Sequence, residues 1–404
     1  MKNSRSVLFK LFAVIAVVAA FTAFTFALSA CNETTDPPNN PDAPNAVNFV
    51  YTQSERIGWD QSILNFGDSK YSEYKNNGSP TFIVPGLSEG QNFILQGIAY
   101  CPSFNWTLLC GYVNPATELT NSVIFVMDMN KTATTSSGKT YAGALIKEIF
   151  LKNEDGTAFK GHAGGIAVTE KNVWVSNSKK LYRISLQTIK DAPASGEIEF
   201  EGNIDAPVLS SYCSYSDGIL WVGEFEYAKD NYVTSASHHN ADNSALKAWT
   251  VGYRVNENGA DGFDSVTGLA NPNADNKVVP DYVLWHGEKV QGMTEAGNKI
   301  VLSTSYGRKN DSALYVYENP VRSSASPDLT VEIYGAQVDC WRLSTASKKV
   351  VAPPMTEDVA VKKEGSEYKI FVASESAAYY YHGYNTFNKS KNPTDLVWLY
   401  TVAQ

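Results

Sequence analysis

One short pattern recurs five times along this chain of 404 residues, and it constrains the fold more than any other feature. In each copy an apolar run is followed by a polar turn and by a second apolar run rich in Val, Ile, Trp or Phe. The copies are LQGIAYCPSFNWTLLCGY, AGGIAVTEKNVWVSNS, SSYCSYSDGILWVGEF, VQGMTEAGNKIVLSTSYGR and TEDVAVKKEGSEYKIFVASES. Short apolar runs bounded by turn residues predict antiparallel strand pairs.

Each copy continues into a third apolar run, and the first four continue into a fourth, more amphipathic one. The predicted fourth strands are ALIKEIFL, GEIEFEG, DYVLWHG and LTVEIYG. Units of four strands without helical periodicity are typical of a β-propeller. The last unit lacks its fourth strand, and the segment TFIVPG at 81–86 can supply it and close the ring. We therefore predict an all-β fold, a five-bladed propeller, with six blades if 47–80 or 228–280 contains another.

The start of the chain has the features of a targeting segment. Three basic residues precede a long apolar run, which ends in LSAC at Cys31. Residues 1–30 resemble a bacterial lipoprotein signal peptide, which implies cleavage before Cys31 and a lipid on its sulfur. An ordinary secretory signal or a membrane anchor is the alternative. The polar, Pro-rich residues 31–46 predict a flexible tether, so residues 47–404 form the propeller domain, lipid-anchored to the membrane in the bacterial cell envelope.

The formal net charge of −9 excludes one class of partner. Nucleic-acid binding depends on clustered Lys and Arg residues, and the chain has no such stripe. Cys101 and Cys110 flank a predicted hairpin turn, so they could face each other and form a disulfide in an exported protein, with two buried thiols as the alternative. The cysteine spacing fits no zinc site.

Propeller topology predicts which polar side chains meet. The start of each innermost strand and the end of each second strand lie near the axis at the same end of the ring, which is the default binding site. The candidate ligand-binding residues at this axial mouth are Gln96, His162, Glu224, Gln291, Tyr306, Arg308, Glu357 and Glu375, with Asn177 and Ser211 beside them.

Other stretches have weaker signals. The segment AAYYYHGYNTF, from Ala377 to Phe387, could be an aromatic platform for sugars, although alternation in a strand would bury half of its rings. His238 and His239 lie in a long insertion and are interpreted as a solvated loop. The acidic stretch near Asp261 suggests calcium, but its spacing departs from a calcium-loop pattern. We find no catalytic motif and predict no metal site and no cofactor, with calcium as the alternative.

Four phrases, QGIAY, HAGGIAV, VLSTSYGR and PPMTEDVAV, resemble those of a group of secreted, lipid-anchored bacterial β-propeller proteins. Their versions read Q-G-I, H-x-G-G-I, S-Y-G-R and P-P-M-S-E-G, and the likeness covers most of residues 80–385. The resemblance implies a fold and an exported location but no mechanism. This chain departs from the pattern at Asp358, where Gly is favoured, and at the insertion after Glu226. A looser likeness to lactonase-type propellers implies an axial metal, but no full ligand set matches here.

Three functions remain open at this stage. The first is a non-catalytic binding or interaction module for glycan, peptide or an envelope protein, which needs only a rigid scaffold with variable loops. The second is an exported carbohydrate-active hydrolase that uses Glu224, Glu357 and Glu375, whose carboxyl separation is the discriminating quantity. The third is a metal-dependent, lactonase-like enzyme. We favour the binding module.

Overall fold

The computed structural model describes residues 49–53, 69–88, 91–113, 121–240, 242, 245–256, 276–382 and 389–404. Residues 1–30, Cys31 and the 31–46 tether lie outside these ranges. All described residues belong to one compact unit, Val47–Gln404. Nowhere in the described ranges is a helix long and apolar enough to cross a membrane.

Most of the described chain is β-strand, as the alternating apolar runs predict. The strands are, in chain order, β1 (Gly78–Ile83), β2 (Phe93–Cys101), β3 (Trp106–Val113), β4 (Val123–Thr134), β5 (Thr140–Lys152), β6 (Gly165–Val168), β7 (Asn172–Asn177), β8 (Lys180–Ser185), β9 (Ser195–Glu199), β10 (Asn203–Asp205), β11 (Tyr212–Ser216), β12 (Ile219–Gly223), β13 (Ala248–Arg254), β14 (Tyr282–His286), β15 (Val290–Ala296), β16 (Lys299–Thr304), β17 (Ser312–Glu318), β18 (Leu329–Ile333), β19 (Ala336–Arg342), β20 (Lys348–Ala352), β21 (Thr356–Glu364), β22 (Glu367–Ser374) and β23 (Leu396–Val402). The short helices are α1 (Ser72–Asn76), α2 (Leu186–Asp191) and α3 (Tyr379–His382).

Five antiparallel sheets form the five blades of a propeller, which confirms the predicted fold class and the smaller blade number. From the innermost strand outward, the blades are β2-β3-β4-β5, β6-β7-β8-β10, β11-β12-β13-β14, β15-β16-β17-β20 and β21-β22-β23-β1. The N-terminal strand β1 pairs with the last strand of the chain, with Pro80 opposite Trp398. The closing strand lies at Gly78–Ile83, three residues earlier than 81–86. Ring closure by this strand removes two free sheet edges.

Two of the four predicted fourth strands are wrong. GEIEFEG contributes β9, which pairs parallel with β5 of the preceding blade, while β10 is the outer strand of blade 2. LTVEIYG contributes β18, which forms a hairpin with β19 on the outside of blade 3, and β20 takes the outer place in blade 4. Amphipathic edge strands share one alternation pattern, so the pattern identifies a strand but not the edge on which it pairs.

The axis is closed by tight backbone packing between the innermost strands. A side chain at Gly97 would lie 2.7 Å from Gly165, and one at Gly165 would lie 2.7 Å from Tyr212 Cα. At the equivalent point of blade 5, Asp358 is fully buried and packs against Gly292. Its Oδ2 accepts a 3.1 Å hydrogen bond from the Ile98 N–H. The Asp358 side chain, which stands where the pattern favours glycine, therefore fills space at the axis, and packed atoms close the bottom of the mouth.

The interfaces between blades are filled by large rings. Trp174 is fully buried between blades 2 and 3, and Trp221 is fully buried between blades 3 and 4. The indole N–H of Trp221 donates a 2.8 Å hydrogen bond to Glu295 across the blade interface. As expected for repeat blades, these residues make each sheet depend on its neighbour for a complete core.

The alternative of a disulfide between Cys101 and Cys110 is not realised, because both are free buried thiols. Cys101 lies opposite Trp106, whereas Cys110 lies opposite Gly97, four residues further along the same ladder. At roughly 3.3 Å per residue, that offset exceeds the reach of a disulfide.

Candidate functional site

Side chains from four of the five blades form a hydrogen-bonded arc at the axial mouth. His162 Nε2 lies 2.5 Å from Gln96 Oε1, and Gln96 Nε2 donates to Glu375 Oε2 at 3.1 Å. Glu375 shares a hydrogen bond with the Glu357 carboxyl group. Gln291 Nε2 donates to Glu357 Oε1 at 3.5 Å. We define the mouth arc as His162, Gln96, Glu375, Glu357 and Gln291.

Three residues of the mouth arc occupy the same irregularity in their strands. In β2, the ladder passes from Leu95 to Gly97, which leaves Gln96 unpaired. The ladder of β15 skips Gln291 in the same way, and that of β21 shifts register across Glu357 and Asp358. Such β-bulges re-aim a side chain out of the regular alternation. In blades 1, 4 and 5, a β-bulge in the innermost strand thus directs a polar side chain toward the mouth.

The two adjacent acids of β21, Glu357 and Asp358, lie within the bulge and point to different places. Strand alternation predicts the same outcome, with the two side chains on opposite faces. Glu357 joins the mouth arc, while Asp358 accepts backbone hydrogen bonds from Ile98 and Val359 in the axis below it. Of the two acids, Glu357 is therefore the one that belongs to the mouth.

Aromatic rings form one wall of the mouth. The Tyr112 ring packs on the His162 ring at 4.6 Å between centroids, and the Tyr112 hydroxyl lies 3.4 Å from that of Tyr381. The Arg308 guanidinium lies 4.7 Å from the Tyr381 ring centre, within the range of a cation–π interaction. Tyr112 was not among the predicted residues, although it lies one residue before the end of the second strand of blade 1, and Asn177 ends that of blade 2.

The carboxyl pair of the mouth is held in an unusual protonation state. Burial and the nearby negative charge of Glu375 raise the pKa of Glu357 well above its usual range. Burial also raises the pKa of Glu375 to about 7, although hydrogen bonds from Tyr381 and Gln96 oppose that rise. Two carboxyl groups in direct contact cannot both ionise readily, so they share one proton near neutral pH.

The remaining charges at the mouth nearly cancel. Arg308 is close enough to lower the pKa of Glu375. Desolvation by the surrounding protein lowers the pKa of the His162 imidazole, which favours its neutral form. One shared negative charge and one guanidinium leave the mouth close to neutral.

Replacing Glu357 by Gln is expected to flatten the pH dependence of stability. The unfolded carboxyls titrate near 4.5, whereas folded Glu375 holds its proton to about pH 7. The folded state therefore binds more protons between these values, and the pair lowers stability as pH rises from 5 to 8. The variant has no second carboxyl group in the pair, so the repulsion between the two charges is absent. Its free energy of unfolding should therefore exceed that of the parent by an amount that grows to about 1–2 kcal/mol at pH 8. Denaturant unfolding at pH 5, 6, 7 and 8 measures it.

The matched control is Glu367→Gln, at the exposed turn of the same hairpin. This variant should follow the parent profile at every pH. Parallel profiles for Glu357→Gln and the parent would show that the pair does not share a proton.

The structure does not bring every predicted mouth residue into the arc. Glu224 is buried in blade 3, where it contacts His238 Nδ1 at 2.6 Å and accepts from the Trp249 N–H at 3.0 Å. The Tyr306 hydroxyl donates to Asp230 instead. Both differences arise from the insertion between β12 and β13, which folds over blade 3 and supplies these partners. Asn177 accepts from the His162 N–H at 2.7 Å and holds the arc from below.

Ser211 and the remaining candidate segments have structural roles or lie outside the described ranges. Ser211 Oγ accepts from the Phe225 N–H at 3.0 Å. Tyr384, Phe387 and Asp261 lie outside the described residues. The interpretation of His238 as solvated is wrong, since it is buried on Trp249, whereas His239 is exposed. Within the described ranges, no group of three or more His, Cys, Asp or Glu side chains is arranged to hold a metal ion.

Comparisons with known proteins add little to this geometry. No protein-family model matches the chain, and no curated protein sequence matches it. A chain of the solved structure "Crystal Structure of Mitotic Checkpoint Complex" aligns at 8% identity with a TM-score of 0.35, over 77% of this chain and 78% of the other. A similarity this low carries no argument about function.

Proposed function

We propose that this protein is a binding module of the bacterial cell envelope, held to the membrane by a lipid on Cys31, whose axial mouth binds a neutral glycan. The observation that carries the proposal is the mouth arc, in which four blades place planar hydrogen-bonding groups around a closed floor. The N-terminal signal pattern and the resemblance to exported propellers support the location.

The chemistry of the mouth favours a hydroxyl-rich ligand. The amides of Gln96 and Gln291 and the protonated carboxyl of the shared pair provide both donors and acceptors. The rings of Tyr112 and Tyr381 offer rigid, amphipathic contact surfaces. Because the charges at the mouth nearly cancel, binding requires no compensating charge on the ligand. A neutral sugar chain meets each of these conditions.

The geometry argues against a glycosidase that uses these acids. The two carboxyl groups of such enzymes stand about 5–10 Å apart, with the sugar between them. Glu357 and Glu375 are hydrogen-bonded to each other, so no substrate fits between them. Glu224, the third acid considered, has its oxygens occupied by His238 and by the backbone N–H groups of Trp249 and Leu209.

The proposal is tested by calorimetric titration of the full-length protein in mild detergent. Maltotetraose, cellotetraose, mannotetraose and chitotetraose are the probes. We expect saturable binding of at least one of them, weakened about tenfold in Gln96→Ala and in Gln291→Ala, because each variant removes an amide that holds the carboxyl groups of the mouth arc in place.

Asn310→Ala is the control, since Asn310 is exposed and its side chain donates only to the Tyr306 carbonyl. Its dissociation constant should equal that of the parent. The proposal fails if none of the four sugars binds, or if both glutamine variants bind as tightly as the parent. Release of reducing ends from the bound sugar would identify a hydrolase instead.

A further inference from the structure

Two additions to the five-blade scaffold meet on blade 3 and form a cleft whose lining includes no residue of the mouth arc. One is the insertion between β12 and β13, which carries His238. The other is the β18–β19 hairpin, whose turn carries Tyr334. The cleft between them has a volume of about 450 Å³, which lies within the range of sites for small ligands.

A buried carboxylate determines how His238 presents its ring to this cleft. Glu224 is 1% exposed, and its Oε1 lies 2.6 Å from His238 Nδ1. Backbone N–H groups of Trp249 and Leu209 also donate to Glu224, at 3.0 and 3.3 Å, so both of its oxygens act as hydrogen-bond acceptors. Because the Glu224 oxygens accept hydrogen bonds, Nδ1 is the ring nitrogen that donates to Glu224, and Nε2 is the one left to accept from a ligand. Nε2 lies on the ring edge away from Glu224, and His238 forms part of the cleft wall.

The orientation of the ring is enforced by packing. The His238 ring stacks on Trp249 at 3.8 Å, with 18° between the planes. Trp285 packs edge-on against Trp249, and its indole N–H donates a 2.7 Å hydrogen bond to the His238 carbonyl. A ring stacked on Trp249, in a residue whose backbone carbonyl is also hydrogen-bonded, is preorganised for a ligand, which lowers the entropic cost of binding.

The β18–β19 hairpin adds apolar side chains, one acid and one exposed ring to the cleft lining. Ile333 and Glu332 are among these residues, and Tyr334 is 38% exposed. Tyr334 has a φ of +52°, in the left-handed region that is uncommon for a tyrosine. The hairpin turn therefore holds an exposed tyrosine in the same lining as His238.

We propose that this cleft is a second binding site for a sugar ring of a neutral glycan. A hydroxyl group donates to His238 Nε2, while the apolar face of the sugar ring packs on Tyr334. The inference rests on the proposed function for its ligand class, but it does not require the mouth arc to bind. Two sites on one rigid scaffold increase the affinity for a polymer that spans both.

The test uses two cleft variants and a matched control in full-length protein. Asn in place of His238 can keep a donor for Glu224 while removing the Nε2 acceptor, and Tyr334→Ala removes the exposed ring. His239→Asn is the control, because His239 is exposed in the same insertion. Each is titrated with the four tetrasaccharides named above, and the imidazole nitrogen resonances of His238 are followed by NMR.

We expect the free protein to show the tautomer with hydrogen on Nδ1, and saturating sugar to shift the Nε2 resonance. His238→Asn and Tyr334→Ala should each weaken binding at this site about tenfold, and His239→Asn should bind as the parent does. Sugar binding that is unaffected by both cleft variants but lost in Gln96→Ala would overturn this inference and leave the proposed function standing. Loss in the cleft variants alone would support the cleft and reject the mouth.

Discussion

Replacing Gly165 by alanine is expected to lower the free energy of unfolding by about 3 kcal/mol or more, because the new methyl group would overlap the backbone of the neighbouring innermost strand. The added carbon would lie against the Cys213 nitrogen and 2.7 Å from Tyr212 Cα. Both atoms belong to an innermost strand that its own blade holds in place, so neither can move aside at low cost. Equilibrium unfolding in denaturant measures the loss.

Gly287→Ala is the matched control for this experiment. Its added carbon would meet a single atom within 4 Å, the Ala245 carbonyl oxygen at 3.3 Å. Its stability should therefore stay within about 1 kcal/mol of the parent. Equal losses in the two variants would contradict the account of a closed axis, since they would show that the position of the glycine is irrelevant.

The second large effect is expected from Arg322→Met, which removes the cation paired with the buried Glu295 of blade 4. Arg322 Nε donates to Glu295 Oε2 at 2.8 Å, and Glu295 is 1% exposed. Removing the cation leaves a buried carboxylate without its partner, which typically costs about 3–5 kcal/mol. We expect an unfolding free energy about 3 kcal/mol lower at pH 7, measured in denaturant.

The pH dependence gives this prediction a clear sign. Burial already raises the pKa of Glu295, and Arg322 opposes that rise. Without Arg322 the pKa of Glu295 in the folded state increases further. The loss of unfolding free energy in Arg322→Met should therefore grow above about pH 4.5 and shrink below it, where the Glu295 carboxyl is protonated in both the folded and the unfolded state.

Arg254→Met is the control for the ion pair, because Arg254 is 66% exposed in its bridge to Asp281. An exposed pair contributes about 0–1 kcal/mol, so this variant should lose little. A loss of equal size in both arginine variants, or a deficit in Arg322→Met that does not change with pH, would contradict the role assigned to burial.

The insertion between β12 and β13 explains why Glu224 and Tyr306 do not join the mouth arc. Their positions at the ends of second strands are correct, but the insertion between β12 and β13 brings His238 to Glu224 and Asp230 to Tyr306. The long polar sequence of the insertion predicts a loop, but it does not show which distant side chains that loop contacts. Only tertiary packing shows that Glu224 and Tyr306 bind residues of the insertion.

The sequence alone predicted the three inner strands of every blade, favoured five blades over six, and located the closing segment to within three residues. These features follow from local patterns, because alternation with period two and turn residues act over a few neighbouring positions. It also placed Gln96, Gln291, Glu357 and Glu375 at one end of the ring, since propeller topology fixes where strands begin and end.

Only the tertiary structure decided what those residues do to one another. The bulges that release Gln96 and Gln291 from their ladders depend on pairing with a partner strand, which no local pattern specifies. The contact between Glu357 and Glu375, and the choice of edge for β9 and β18, depend on distances between residues far apart in sequence. Composition and spacing indicate which groups are present, whereas pKa values and hydrogen bonds depend on separations of a few ångströms that only packing sets.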